Sequence, residues 1–281
     1  VGDSPMSAST QVLFDEPGPK GKRNNVILSI VSGVLLLGIV AFVVWKFSAA
    51  GQLDAAKWEP FAYATIQKAL FKGLLATLKV AVVASVLALI LGVVFALLRL
   101  SSKKWISVPA TLVLEFFRGL PVLLLIFATY LLFGKTIGSF WPVVIGLTLY
   151  NGMVIAEVVR AGILAVPRGQ REAAQSIGLS DSQTMSLVLM PQAFRAMMPT
   201  LIAQIVVLLK DSALGYMVTY QDLLHQVNII GRQYGNLLPT FIVGAVIYIA
   251  INLVVAGIAR WLESRMQRKT AATTGTSKGE D

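Results

Sequence analysis

Four stretches of this chain run for nineteen or more residues without a charged side chain: Val26–Trp45, Val80–Leu98, Thr136–Ala156 and Gln233–Ala259. A helix needs about 20 apolar residues to cross a hydrocarbon core roughly 30 Å thick, so each run is long enough to span a bilayer. Two further stretches are nearly as apolar but carry charge: Pro109–Phe133 holds Glu115 and Arg118, and Ala196–Met217 holds Lys210 and Asp211. In lipid a spanning segment must satisfy its own backbone groups, which makes each of these a helix. The expected fold is an all-α membrane protein with six transmembrane helices. Composition agrees, with 56% hydrophobic and 14% charged residues over 281 positions, where soluble proteins hold roughly 45–50% and about 25%.

The intervening segments give an organisation and an orientation. Residues 1–25 are polar, with Pro17, Pro19 and the cluster Lys20, Lys22, Arg23, and read as a disordered tail. Residues 26–47 form an added first helix, too long for a signal-peptide core although Ser48-Ala49-Ala50 resembles a cleavage site. Residues 48–72 are an external segment, and residues 263–281 a cytoplasmic tail. Lys and Arg concentrate in Arg99–Lys104, Arg160–Arg195 and Arg260–Lys278 as well as in the first tail. That bias puts both termini in the cytoplasm of a multi-pass cell-membrane protein. The net charge of +10 is thereby read as topology and not as a nucleic-acid footprint. With no cysteine and a single histidine there is no basis for a disulfide framework, a Cys-ligated metal or a His-relayed triad. His225 reads as a solvated loop residue, and the chain is expected to hold no metal or cofactor.

The segment Val166–Pro191 is too polar to insert and too patterned to be a passive linker. Pro167 suits a helix start. Arg168–Ile177 follows as a good helix former, and Gly178 supplies a left-handed stop. Ser180 and Gln183 spell a capping box for a second helix, which presents Met185, Val188 and Leu189 and is expected to end at Pro191. Ala173 and Ala174 give the first helix a small-residue surface that another surface can approach closely. The pattern alone allows either a hairpin lying on the membrane or a docking knob for a soluble partner.

Glu172-Ala173-Ala174, then Gly178, then Val188-Leu189-Met190-Pro191 resembles the EAA loop of type I ABC importer permeases. The likeness extends from about Leu74 to Arg260. Ala156–Ile163, Val166–Gln170, Phe117-Arg118-Gly119-Leu120-Pro121 and Leu209–Leu214 are similar to the polar amino-acid subfamily. The resemblance implies a five-helix permease domain over residues 73–262, preceded by the extra helix. It implies that Glu172, Ala173, Ala174, Gly178, Val188 and Pro191 couple to ATPases, and that the solute is a polar amino acid such as glutamate. It also implies partners: two ABC ATPase subunits that bind ATP and Mg, a second permease subunit (identical or a paralogue) and an extracytoplasmic substrate-binding protein. The sequence offers no motor of its own. Gly134-Lys135-Thr136 lacks the leading glycine of a phosphate loop, since Thr129 stands there, and follows a span instead of a strand.

Ionisable groups at membrane depth are costly and point to function. Glu115 and Arg118, three apart, can pair on one helix face, or Arg118 can face the pathway and attract a substrate carboxylate. Lys210 and Asp211 are adjacent and point about 100° apart, so they cannot simply neutralise each other. Tyr150 and Asn151 can bond a ligand or another helix, the second being favoured. Glu157 and Arg160 are expected to pair with the loop. Gly92-x-x-x-Ala96 reads as a helix-packing face. An ion-coupled secondary transporter is the competing function, but it calls for inverted repeats and ion-coordinating acids, of which only Glu115 and Asp211 qualify. An intramembrane enzyme has still less to work with.

Because the chain has no cysteine, Ser176→Cys introduces a unique thiol into the loop. An impermeant maleimide should label it in inverted vesicles and leave it unlabelled in intact cells; labelling from outside would reverse the topology.

Overall fold

The computed structural model describes residues 18–275, so residues 1–17 of the tail expected at 1–25 and residues 276–281 of the tail expected at 263–281 lie outside the described residues. The chain divides into two units between Ala55 and Ala56. The first consists of α1 (Pro19–Ala49), followed by a turn at Gly51 (φ 64°). Pro19 sits in its first turn, where the missing amide is no loss, so the helix begins within the segment read as tail. None of its residues is buried, and its apolar side chains point outward all around. Its most apolar window has a mean hydropathy of 2.9, which suits a helix surrounded by lipid.

The 3-10 turn Ala55–Lys57 spans the boundary, and a second, Glu59–Ala62, follows in the second unit. It continues as α2 (Ala64–Arg99), α3 (Lys104–Gly119), α4 (Val122–Ile137) and α5 (Phe140–Leu164). The loop helices α6 (Arg168–Ser176) and α7 (Asp181–Gln183) follow, then a π-helical stretch Thr184–Leu189 that runs into α8 (Met190–Asp211). A 3-10 turn Ser212–Val218, α9 (Leu223–Gln233) and α10 (Leu237–Gly275) complete it. The helical backbone of α10 thus runs on into the residues read as a C-terminal tail.

Among the described residues, five helical stretches are long and apolar enough to span, and a sixth is obtained if α3 and α4 count as one. That pair corrects the single helix expected over Pro109–Phe133, because two helices meet there at 97°. Pro121 disfavours helical backbone at the residue before it, and Leu120 accordingly adopts ψ 134°. Pro121 itself follows at ψ 133°, so two consecutive extended residues turn the chain. The expected fourth span shifts as well: residues up to Ile137 belong to α4, Gly138 takes φ 71°, and the spanning helix begins at Phe140. Likewise the last span begins at Leu237, after a turn at Gly235 (φ 59°) separates it from α9.

The main core lies between α2 and α5, the helix that contributes most to the interior. Ala84, Ala88 and Ala96 are fully buried on α2, and Gly92 between them lets the two backbones come close. A Cβ on Gly92 would lie 2.4 Å from Ile155 Cγ2 and 3.0 Å from the Gly152 carbonyl oxygen. A second core at the start of α2 joins Ile66 and Leu70 to Leu223, Val227 and Ile230 of α9. Gly92→Ala should therefore lower the thermal midpoint of the purified protein despite alanine's better helix propensity. Gly257→Ala, where nothing lies within 4 Å, should leave it unchanged or raise it; equal effects of the two would remove the close-packing argument.

Candidate coupling loop and membrane-depth residues

The loop begins where α5 ends. Glu157, near that end, makes a salt bridge to Arg99 at the last residue of α2 and a second, at 3.5 Å, to Arg160. These charges therefore brace the base of the loop against α2, and the pairing with the loop itself expected from sequence is not formed. Pro167 (ψ 134°) precedes α6, and the helix closes through a Schellman arrangement. In it the Gly178 amide donates to the Gln175 carbonyl at 3.0 Å, and the Leu179 amide to the Ala174 carbonyl at 3.2 Å. Gly178 takes φ +86° with nothing within 4 Å of a prospective Cβ, so the residue is needed for its backbone conformation and not for space. Ser180 and Gln183 form the expected capping box: the Ser180 amide donates to Gln183 Oε1 at 2.9 Å and the Gln183 amide to Ser180 Oγ at 3.4 Å.

Pro191 does not end the second helix. Proline has no amide to donate and would clash with the carbonyl four residues back, yet the chain continues helically from Asp181 into α8. The π-helical stretch accommodates it, with the Met190 amide reaching five residues back to the Met185 carbonyl. Gln192 adds two bonds, from Nε2 to the Val188 carbonyl and to Gln170 Oε1, both at 3.0 Å, and the second ties α6 to the start of α8. The two alanines separate: Ala174 is buried under the loop, whereas Ala173 is exposed. Glu172 lines a cavity of about 520 Å³ with Arg168, Arg171, Gln175 and Leu189. Ile177, which closes α6, and Leu187, in the π-helical stretch, stand 79% and 64% exposed. Sequence reading missed both, since neither breaks a motif; an apolar residue directly before the stop glycine was the available signal.

The membrane-depth residues do not converge on one site. Arg118 Nη1 lies 3.7 Å from Glu115 Oε1 in the last turn of α3, and both side chains are substantially exposed beside the elbow. Asn151 is fully buried and turned to its neighbours: its Nδ2 donates to the Leu147 carbonyl, and its Oδ1 accepts from Gln204 Nε2 at 2.7 Å. It is thus a bond between α5 and α8, while Tyr150 beside it is half-buried. Lys210 is exposed and Asp211 half-buried at the end of α8.

Two residues beyond α8 carry more electrostatic content than the sequence suggested. His225, expected in a solvated loop, lies in the first turn of α9, with its ring 6.0 Å from that of Tyr216. Asp222 caps α9, its Oδ1 accepting from the His225 amide at 2.8 Å, and is fully buried. Its Oδ2 and His225 Nδ1 are buried with no hydrogen-bond partner among the described residues. Burial pushes the Asp222 carboxyl up to about 7, against the opposing pull of the amides of His225, Asp222 and Leu224. An Asp directly before an apolar helical run was the signal for the cap; its burial was not legible.

Residues 88–268 match the family described as binding-protein-dependent transport system inner membrane component, a stretch that includes α5, the whole loop and α8. The chain belongs to that family. The glutamate transport system permease protein GluD of Corynebacterium glutamicum is 39% identical over 227 residues, 78% of this chain and 83% of GluD. The probable glutamine permease GlnP of Bacillus subtilis is 33% identical over 202 residues, 70% of this chain and 93% of its own. A crystal structure of an amino acid ABC transporter with histidines superposes with a TM-score of 0.66 at 32% identity, covering 71% of this chain and 94% of that one. The permease is therefore a multi-pass membrane subunit and not an enzyme, its ATPase being a separate polypeptide. Gly134-Lys135-Thr136 accordingly lies in the last turn of α4. Family membership sets aside the ion-coupled alternative.

Asp222 gives the permease a pH-dependent stability with a definite sign. Between about pH 4 and pH 7 the folded chain holds a proton that the unfolded chain has lost, so this contribution falls as pH rises through that window and is level above it. Asp222→Asn keeps a good cap and removes the titration. Its thermal midpoint should stay flatter across that window and exceed that of the unsubstituted permease at pH 8; parallel pH profiles would contradict the assignment.

Proposed function

We propose that the permease is the pathway-forming subunit of an ATP-driven importer for a polar amino acid, with glutamate as the solute. The observation that carries this reading is the loop Val166–Pro191, a braced two-helix segment with exposed apolar side chains at Ile177 and Leu187. Glutamate is supported by the names of GluD and of the GltK permease of Escherichia coli, which is 30% identical over 213 residues.

In this reading the loop faces the cytoplasm, as do both termini, and docks an ATPase subunit that binds ATP and Mg. Glu172, Ala173 and Gly178 shape the docking surface, while Ala174, Val188 and Pro191 hold its underside to α8. Two ATPases, a second permease subunit and a substrate-binding protein complete the importer. Arg118, released at the elbow from any helix beyond Gly119, offers a fixed two-pronged geometry to a substrate carboxylate, with Glu115 holding it until solute arrives. Tyr150, Lys210 and Asp211 line the same route, and Asn151 holds α5 to α8 behind it.

The test is coupling. A β-branched residue is strained at φ +86°, so Gly178→Val should distort the loop while leaving the membrane helices intact. With the ATPase and binding protein reconstituted, glutamate uptake should fall at least tenfold and substrate-stimulated ATP hydrolysis should be lost at normal permease yield. Full uptake by this variant would mean that the loop does not couple.

A further inference from the structure

The uncharged run Val80–Leu98 of α2 is about 28 Å long at the helical rise, which fills the hydrocarbon core. Residues 64–79 of the same helix, about 24 Å, therefore project beyond it, at the end remote from the loop. Lys68, Lys72 and Lys79 are exposed along this projection. Steps of four and seven residues keep all three within about 40° on one face. Lys68 lies roughly 46 Å from Arg99, the residue that braces the loop.

This is a built surface and not a frayed end. Gly73 lets α9 approach so closely that a Cβ there would lie 2.9 Å from the Asp222 carbonyl oxygen and from Leu223 Cα. Thr77 accepts from the Leu223 amide at 3.1 Å, and the Tyr220 hydroxyl donates to the Ala76 carbonyl at 3.1 Å. Between the two walls opens a groove of about 500 Å³, with Lys68 and Lys72 on one side and Tyr220, Gln221 and Gln226 on the other. Its lining holds no acid. The Lys79 ammonium lies 4.9 Å from the centre of the Phe140 ring. None of the three lysines has a carboxylate partner among the described residues, whereas Arg99, Arg118 and Arg160 each do. Lys57 on the same end is spent on the Gly235 carbonyl at 2.7 Å. The acid beneath, Asp222, is fully buried and is not part of the groove's lining.

Three unpaired cations spread over about 16 Å of helix exceed the reach of a small solute and match an extended acidic surface. The family is described as binding-protein-dependent, which requires a soluble protein to meet the membrane subunit. We infer that the Lys68–Lys72–Lys79 stripe, with Gln221 and Gln226 opposite, docks an acidic face of the substrate-binding protein. The inference rests on the importer reading above.

The experiment measures ATP hydrolysis by the reconstituted importer while its own binding protein, loaded with glutamate, is titrated. Lys68→Glu with Lys72→Glu should raise the half-saturating concentration about tenfold or more, leaving basal hydrolysis and the maximal rate unchanged. Lys68→Arg with Lys72→Arg should behave as the unsubstituted permease. Added salt should weaken half-saturation in the unsubstituted importer and leave the Glu variant nearly flat. An unchanged half-saturating concentration in the Glu variant overturns the docking surface alone. So does a defect confined to bilayers containing anionic lipid, which assigns the stripe to headgroups, and so does lost uptake at normal stimulation, which assigns it to the solute. An unsubstituted importer that the binding protein fails to stimulate at all overturns the importer reading and the docking surface with it.

Discussion

Everything else in the main unit depends on how closely α2 and α5 approach. Lipid tails are as apolar as leucine, so helices in a bilayer gain little by hiding leucine from their surroundings, and association rests on packing at short range. Gly92 of α2 against Ile155 and the Gly152 carbonyl of α5 supplies that range, with fully buried alanines above and below. With α5 fixed in this way, α4 packs on its other side through Gly146, where a Cβ would lie 2.5 Å from Ile126 Cγ1. The Asn151–Gln204 hydrogen bond then registers α8 on α5. Glycine and alanine set the distances, and one amide pair sets the register.

The sequence revealed positions along the chain better than directions in space. Uncharged runs located four of the five spanning helices because the hydrocarbon core imposes a length, and length is countable. The capping box at Ser180 and the stop at Gly178 were legible for a similar reason, since each is a local backbone requirement tied to a residue type. The 97° elbow was not, although Pro121 marked it. Proline signals a break without fixing its angle, and here a second extended residue, Leu120, turns a kink into a corner. Pro191 erred in the opposite direction. A break rule assumes α-helical hydrogen bonding, and a π-helical turn steps outside that assumption.

The membrane-depth residues show where pattern reading loses its footing. Asn151 was expected to bond another helix and does so, whereas Glu157, near the interface, was expected to pair with the loop and fastens elsewhere. Asn151 bonds to α8 and Glu157 to Arg99 of α2. Charge and polarity identify residues that require a partner, but sequence does not identify which partner is in reach. Asp222 shows the converse. No sequence pattern singled it out, yet it is fully buried where Gly73 and Thr77 of α2 draw the start of α9 inward.

These fastenings give the permease one rigid member joining its two ends. α2 holds α9 and the lysine stripe at its start, and through Arg99 it holds the base of the loop at its finish. The loop is tied to α8 through the Gln170–Gln192 bond, and α5, which leads into it, is tied to α2 through Glu157. A projection braced on two different helices cannot tilt alone, so a load on Ile177 and Leu187 is passed to both. One of those helices, α2, reaches the far end without interruption. The other, α8, ends in the 3-10 turn beside Lys210 and Asp211, where the tighter winding is the weaker structure. A displacement imposed on the loop therefore meets a stiff path along α2 and a compliant one along α8. Of the membrane-depth charges, Lys210 and Asp211 sit on the compliant path and Glu115 and Arg118 on α3, off both.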